Sequence, residues 1–297
     1  MILVNLFDIL SRTYIRNALI VGVIMALCLS LLGVSLVLKK HSMIGDGLSH
    51  VGFGAVAVAA AMSWAPLYFA IPVVIVASFF ILFLAEKSKI IGDSAIALFS
   101  TISLAIGYAA IELGDGVSFN ISAYLYGSIL GVSKTEVIMS IIIGIFVISL
   151  FIILYNKIFS ITFDETFTKS IGIKTTLINI IISILTSLTV VIGMKVMGAL
   201  LITALIIFPV LSARQIAKTF KMVTILSAII GVLSFIYGLI FACVFDNLPI
   251  GSSIVFASFI ICILSFGIGF LIKKRIRINW FIIKNIIYFY SKREPLL

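Results

Sequence analysis

Long runs without a charged residue recur along the chain. These runs cover residues 17–38, 47–85, 94–111, 116–133, 137–156, 175–194, 196–213, 222–245 and 247–272. A helix needs about 17–25 residues to cross the hydrocarbon core of a bilayer, and most of the runs are close to that length. The pattern therefore predicts a bundle of membrane-spanning helices joined by short charged connections.

Three of the runs need a separate interpretation. Residues 47–85 are about twice too long for one span, and the Trp-Ala-Pro sequence at 64–66 divides them into a hairpin in which Pro66 begins the second helix. Residues 116–133 are rich in serine and glycine and are predicted to form a short or broken segment packed within protein. Residues 196–213 cross fully or insert in part, so the predicted fold is all-α with eight to nine transmembrane helices, nine being favoured.

Composition also indicates an integral membrane protein. Of the 297 residues, 63% are hydrophobic and 11% are charged, and the mean hydropathy is +1.34. Soluble domains carry roughly 25% charged residues. A soluble fold of this composition would lack the polar side chains needed to cover its surface, so lipid is expected to solvate the chain.

Basic residues are distributed unequally between the predicted connections. With nine spans and the basic segment 273–293 in the cytoplasm, most of the 21 Lys and Arg residues lie on the cytoplasmic side. Only Arg12, Arg16, Lys134 and Lys195 lie outside. This asymmetry obeys the positive-inside rule and predicts a cell-membrane protein with a cytoplasmic C-terminus and an N-terminus outside. Topology and attraction to anionic lipid explain the net charge of +10, so no nucleic-acid partner is expected.

The chain is expected to form one polytopic membrane domain over residues 1–278, followed by a tail over residues 279–297. The tail mixes aromatic residues with Lys and Arg in the sequence NWFIIKNIIYFYSKR. That mixture is typical of a helix at the interface between lipid and water, here on the cytoplasmic side. Within the membrane domain, residues 157–175 form a long hydrophilic connection on the same predicted side.

Motifs of several common enzyme classes are absent from the sequence. There is no G-x-x-x-x-G-K-[ST] for nucleotide phosphates, no H-E-x-x-H for zinc proteolysis and no G-x-S-x-G for hydrolysis. The chain has two histidines, His41 and His50. We therefore expect neither an enzyme nor a permanently bound cofactor.

One pair of polar residues is a candidate for metal chemistry. Asp46 and His50 belong to the sequence GDGLSH at residues 45–50, and the i, i+4 spacing places both side chains on one face of a helix. A carboxylate with an imidazole suits a divalent transition-metal ion. The alternative is structural, with Asp46 as the N-cap of the helix and His50 as a hydrogen-bonded interfacial residue.

Two ligands do not complete a metal site. The remaining ligands would come from water, from Met43, which is the weaker candidate, or from a second copy of the chain. Three glycines of the same segment, Gly47, Gly52 and Gly54, would let a neighbouring helix approach closely.

Five segments, in the same order, resemble the zinc/manganese/iron permeases of ABC transporters. The first is LVLKKHSMIGDGLSHVGFGAVAV at 36–58, and the others are residues 125–137, 161–175, 195–216 and 246–258. The resemblance implies the membrane subunit of an ATP-driven importer of manganese, zinc or iron. The metal ion is then the substrate.

The resemblance also implies partners. Two permease copies would form the pathway along a shared axis, with Asp46 and His50 of each copy as transient ligands. ATP-binding-cassette ATPase subunits would hydrolyse ATP on separate chains, and an extracytoplasmic metal-binding protein would deliver the ion. The direction of transport, import, rests on the same resemblance.

The hydrophilic connection at 157–175 resembles the coupling helix that docks on the ATPase. Its i, i+4 spacings predict a short amphipathic helix on the membrane surface that ends at Gly172. An ordinary polar loop is the alternative. The residues expected to couple to the ATPase are Phe163, Asp164, Glu165, Phe167, Thr168 and Gly172.

Two other functions remain open at this point. An ion-gradient-driven secondary transporter would need coupling carboxylates deep in several spans, and the uncharged runs contain none. A non-catalytic membrane scaffold would require neither the Asp46–His50 pair nor a docking helix.

Overall fold

The structure is a computed structural model that describes residues 13–87, 92–114, 127, 131–245 and 248–291. Side chains are described for all of these except 85–87, 92–93 and 273–291. The segment predicted to be broken, 116–133, lies for the most part outside the described residues.

The described residues form ten helices and no strand. They are α1 (Thr13–Leu38), α2 (Ile44–Ala61), α3 (Pro66–Lys87), α4 (Gly92–Leu113), α5 (Lys134–Phe163), α6 (Glu165–Ser170), α7 (Thr175–Met197), α8 (Ala199–Ile216), α9 (Phe220–Val244) and α10 (Ile250–Ser291). Nine of these, all except the short α6, are long and apolar enough to cross a membrane. The predicted all-α membrane fold with nine spans is confirmed.

The hairpin between α2 and α3 forms at the predicted Trp-Ala-Pro sequence. The backbone turns at Ser63, whose φ of 58° is left-handed. Trp64 N donates to Ala59 O at 2.8 Å, and Ser63 N donates to Ala60 O at 3.0 Å. These two bonds form a Schellman motif that satisfies the last carbonyls of α2. The next helix then begins at Pro66, as the sequence predicts.

A single glycine connects α7 to α8. Gly198 has φ 84° and ψ 158°, a conformation that is essentially restricted to glycine. Gly198 is therefore the single residue between the end of α7 at Met197 and the start of α8 at Ala199. All 18 residues of α8 belong to a candidate span, as judged by length and apolar composition.

The centre of the bundle consists of α1, α2 and α7, in which most residues are buried, whereas α4 and α5 lie at the periphery. Helix α2 packs against α3, α4, α7 and α8, and α1 packs against α5, α8 and α9. This arrangement places the start of α2, which carries the Asp46–His50 pair, between α4 and α8.

Two helices extend beyond the predicted boundaries. Helix α5 has 30 residues and continues to Phe163, so the first part of the connection predicted at 157–175 is helical. Helix α10 is continuous from Ile250 to Ser291, and its residues 250–272 form the candidate span. The predicted division into a membrane domain and an interfacial tail at residue 279 stays a prediction.

Candidate functional site

A tight turn places the start of α2 beside the end of α1. Lys40 adopts a left-handed backbone with φ 64°. His41 N donates to Leu36 O at 2.8 Å, and Lys40 N donates to Val37 O at 3.2 Å, which completes a second Schellman motif. Ile44 N then donates to His41 O at 3.1 Å. The turn therefore joins the two helices through a continuous set of backbone hydrogen bonds.

Asp46 and His50 are brought together on one face of α2, as their spacing predicts. His50 Nε2 lies 3.5 Å from Asp46 Oδ2. Thr203, in α8, donates a hydrogen bond of 3.4 Å from Oγ1 to Asp46 Oδ1. The side chains are partly open, with 33% of Asp46 and 22% of His50 exposed.

The alternative in which Asp46 caps the helix is wrong. The N-cap of α2 is Met43, which makes no side-chain capping bond, and Asp46 lies in the first turn. A carboxylate there interacts favourably with the helix dipole. Its oxygens, however, face His50 and Thr203 rather than the orphan N–H groups that an N-cap satisfies.

His50 is not a fully hydrogen-bonded packing residue. Its Nδ1 atom is buried and has no hydrogen-bond partner within the part of the chain that the structure describes. A buried polar atom without a partner costs free energy and calls for an explanation, such as a functional role. The packing interpretation therefore leaves Nδ1 unexplained, as it does Ser140 Oγ and Ser234 Oγ, and the nitrogen that faces Asp46 is Nε2.

A cavity of about 380 Å³ opens beside the Asp46 carboxylate, and His50 is not one of its lining residues. Its lining comes from the start of α2 and from α4, and consists of Met43, Asp46, Ile96, Ala97, Ser100, Thr101 and Leu104. Met43 is 45% exposed and borders the same space as the Asp46 carboxylate. Sequence reasoning missed Ser100 and Thr101, although each is a hydroxyl residue within an uncharged run.

Within the part of the chain that the structure describes, the pair is not part of a larger ligand cluster. Among the described residues, no group of three or more His, Cys, Asp and Glu side chains is arranged to hold a metal ion. One chain therefore offers one carboxylate and one imidazole at this position, fewer than the four ligands that zinc takes.

The glycines of α2 are used for packing within the chain. A Cβ atom at Gly47 would meet the Ile96 side chain, and one at Gly54 would meet the Ser103 backbone. Both neighbours belong to α4. The close approach that these glycines predict is therefore made by a helix of the same chain, which forms one wall of the cavity.

The predicted coupling segment forms the six-residue helix α6, after one extended residue, Asp164. Asp164 Oδ1 accepts from Phe167 N at 2.8 Å and so caps α6. Gly172, with φ 87°, lies just past the helix end, where Ile173 N donates to Thr168 O at 3.3 Å. The predicted role of Gly172 in ending the helix is thus seen in the structure.

At α6 a polar side chain is buried and large apolar side chains are exposed. Thr168 is fully buried, and its Oγ1 donates to Asp164 O at 2.6 Å. Phe163, the last residue of α5, is 66% exposed, and Phe167 is 62% exposed. The predicted i, i+4 pair therefore spans the break between two helices. Both rings are more than half exposed, and that of Phe163 also contacts the rings of Phe159 and Phe220.

Glu165 faces inward from α6 and contacts two residues that sequence reasoning did not select. Lys39 Nζ lies 3.0 Å from Glu165 Oε2. Asn179, in α7, donates from Nδ2 to Glu165 Oε1 at 2.8 Å. The sequence feature that could have identified Asn179 is that it is the single asparagine in the uncharged run 175–194.

The sequence matches the ABC 3 transport family over residues 11–269. The chain belongs to this family. It is 27% identical to the manganese transport system membrane protein MntC of Halalkalibacterium halodurans over 261 residues, which cover 88% of this chain and 89% of MntC. It is 31% identical to the zinc uptake membrane protein ZnuB of Buchnera aphidicola over 248 residues, which cover 82% and 93% of the two chains.

A solved structure has the same fold. PsaBC from Streptococcus pneumoniae, determined in complex with Fab, matches with a TM-score of 0.78 and 27% identity over 89% of this chain and 95% of that chain. These comparisons confirm the predicted family and the assignment as a transport subunit rather than an enzyme. An ABC transport family also disfavours the secondary-transporter and scaffold alternatives.

Proposed function

We propose that the protein is the permease subunit of an ABC importer for a divalent transition-metal ion, with Asp46 and His50 as transient ligands. Its relatives are named as manganese and zinc transport proteins. The observation that carries the proposal is the pair itself, in which the Asp46 carboxylate lines a cavity between helices and lies 3.5 Å from the His50 imidazole.

A second copy of the chain would complete the ligand set. One chain supplies a carboxylate and an imidazole, and two copies would surround one ion with two of each. The side of the pair that is open is bordered by α4, the least buried of the candidate spans. Its Ile102 and Ile106 side chains are each 52% exposed, which leaves an apolar face for the second copy.

The arrangement suits passage of an ion rather than storage. A pathway needs sites that bind well enough to replace hydration but weakly enough to release the ion. Both side chains are partly exposed and already contact each other, so binding and release require little rearrangement. A carboxylate–imidazole set accepts manganese, zinc and iron, and we propose manganese or zinc because of the named relatives.

We assign one partner protein to each end of the bundle. The exposed rings of Phe163 and Phe167 would dock α6 on an ATP-binding-cassette ATPase at the cytoplasmic face. An extracytoplasmic metal-binding protein would deliver the ion at the opposite face. This orientation places the C-terminus in the cytoplasm and the N-terminus outside, in the cell membrane.

The test is metal accumulation in cells that express the complete transporter. Asp46→Asn and His50→Gln keep the size of each side chain and remove a ligand. We expect each to lower uptake of one metal, manganese or zinc, at least ten-fold. Glu112→Gln removes an exposed carboxylate at the far end of α4 and should leave uptake unchanged.

Membrane abundance and association with the ATPase are measured for every variant. Normal uptake by both Asp46→Asn and His50→Gln, at equal abundance, would contradict the role of the pair. Uptake of iron alone by the wild type would contradict the proposed choice of metal but not the pathway.

A further inference from the structure

Three polar side chains from three elements form a closed ring of hydrogen bonds, here called the Lys39 ring. Lys39 Nζ donates to Glu165 Oε2 at 3.0 Å and to Asn179 Oδ1 at 2.9 Å. Asn179 Nδ2 donates to Glu165 Oε1 at 2.8 Å. Each residue therefore contacts both of the others, and the ring joins the end of α1, the helix α6 and the start of α7.

Two of the three side chains in the Lys39 ring are largely shielded from solvent. Only 15% of the Lys39 side chain and 7% of Asn179 are exposed, whereas Glu165 is 37% exposed. An exposed ion pair contributes little to stability. Loss of Glu165 would leave the mostly buried Lys39 ammonium group without its carboxylate, which is more costly than loss of a fully exposed pair. The ring should therefore hold α6 to α1 more firmly than a surface contact would.

Helix α6 depends on such contacts. A helix of six residues is not stable by itself in water, because nucleation costs more than its few hydrogen bonds return. It is attached to α5 through one extended residue, Asp164, and to the bundle through the buried Thr168 and the ring. A displacement of α6 would therefore pull on Lys39.

Lys39 is joined to the Asp46–His50 pair by the tight turn described above. It is the first residue after α1, and the hydrogen-bonded turn at Lys40 and His41 leads directly into α2. Asp46 lies in the first turn of that helix. These hydrogen bonds fix the backbone between Lys39 and Asp46, so a displacement of Lys39 should also displace the start of α2.

The Lys39 ring also has space beside it into which its side chains can move. It borders a cavity of about 240 Å³, whose lining includes Lys39, His41, Glu165, Asn179 and Ser183. Closely packed interiors resist such movement. The cavity beside the Lys39 ring lets the three side chains move together with α6 while they keep their mutual hydrogen bonds.

We propose that Lys39 is a positioning residue that passes the displacement of α6 to the Asp46–His50 pair. The inference rests on the proposed function, since it assumes that α6 receives the motion of an ATPase and that the pair binds the ion. It predicts that loss of the ring separates ATP hydrolysis from metal movement.

The experiment measures metal ions moved per ATP hydrolysed by the complete transporter in proteoliposomes, with manganese and zinc as probes. Lys39→Met removes the ammonium group but keeps an unbranched side chain. We expect its ratio to fall at least ten-fold while ATP hydrolysis stays within two-fold. Lys39→Arg can still donate to both partners and should retain at least half of the wild-type ratio.

Lys157→Met is the matched control, because it removes an exposed lysine of α5 that belongs neither to the ring nor to the turn at Lys40. It should leave the ratio unchanged. Asn179→Ala keeps the ion pair but removes two of the three hydrogen bonds, and we expect an intermediate ratio. Should Lys39→Met fail to assemble with the ATPase, Asn179→Ala decides the question.

An unchanged ratio in Lys39→Met, or in Asn179→Ala where the former does not assemble, would overturn the role of Lys39. A wild-type transporter that hydrolyses ATP but moves neither manganese nor zinc would instead overturn the proposed function. The two failures are therefore distinct.

Discussion

At the scale of single residues, the environment of Asp46 decides the interpretation of the site. The carboxylate has one oxygen near the His50 ring and the other near the Thr203 hydroxyl. Thr203 is thus placed to fix the direction in which Asp46 presents its remaining lone pairs. Holding a ligand in one orientation is a common function of groups that contact a metal ligand without touching the metal.

Thr203→Val should weaken the interaction of the ion with Asp46. The Thr203 Oγ1 proton is shared with Ala199 O at 3.2 Å, so the bond to Asp46 is a modest one, of about 1 kcal/mol. We expect the metal concentration for half-maximal uptake to rise roughly five-fold. Thr189→Val is the control, since Thr189 Oγ1 bonds only to Leu185 O of its own helix in the structure. Equal effects of the two substitutions would exclude an orienting role.

Sequence alone predicted the residues that share an element and missed those that do not. Asp46 and His50 were found because helical periodicity brings them together. Thr203 is 157 positions from Asp46, and Asn179 is 140 positions from Lys39, so only the packing of helices shows these contacts. For Lys39 the sequence indicates only a contribution to the charge asymmetry and a place in the family-like segment 36–58.

At the scale of helices, the close packing of α2 against α4 shapes the cavity. Gly54 of α2 lies against the Ser103 backbone, and Gly107 of α4 in turn lies against Gly54. Small residues at such crossings let two backbones approach, which is a main source of stability between helices in lipid. The wall of the cavity is therefore set by glycines some distance from the metal-ligand candidates.

Gly54→Ala should destabilise the protein, because its Cβ would overlap with the Ser103 backbone, which cannot move aside as a flexible side chain can. Overpacking of this kind costs about 1–3 kcal/mol. We expect the thermal unfolding midpoint in detergent to fall by roughly 2–10 °C. Gly267→Ala, in α10, meets no atom within 4 Å and should not lower it. Equal midpoints for both variants would show that the α2–α4 crossing can accommodate an additional methyl group.

The uncharged runs predicted the number and order of helices, but not all of their ends. A charged residue such as Lys157 limits the apolar run without ending the helix, and α5 continues to Phe163. A helix can keep its backbone hydrogen bonds after it has left the hydrocarbon core. The end of an apolar run therefore marks where the helix leaves the bilayer, not where the helix ends. The stop at Asp164 depends on its extended backbone.

At the scale of the whole molecule, ion pairs lie at both ends of the bundle. Lys39 and Glu165 pair at the end where α1 finishes and α6 lies, and Lys195 pairs with Glu136 near the start of α5. Helix α5 runs from one end to the other, with Lys134 at its first residue. The two groups of charges are therefore separated by the apolar span.

Cysteine labelling in intact cells tests which end is cytoplasmic. Lys134→Cys and Lys169→Cys replace exposed lysines at the two ends, in a background without the 3 native cysteines. A membrane-impermeant maleimide should label Lys134→Cys in intact cells and Lys169→Cys only after lysis, because charged reagents do not cross the bilayer. The reverse pattern would invert the proposed orientation.

The exposed rings at the α5–α6 junction have a consequence for how the cell makes this protein. Phe163 and Phe167 are both more than three-fifths exposed, at the end of a helix longer than a bilayer core requires. A contiguous apolar patch that no partner covers favours aggregation. If an ATPase covers these rings, as proposed above, a permease made in excess of the ATPase would leave them exposed and become a substrate for proteolytic quality control. Balanced synthesis of the two chains is therefore as much a requirement of the fold as of the transport cycle.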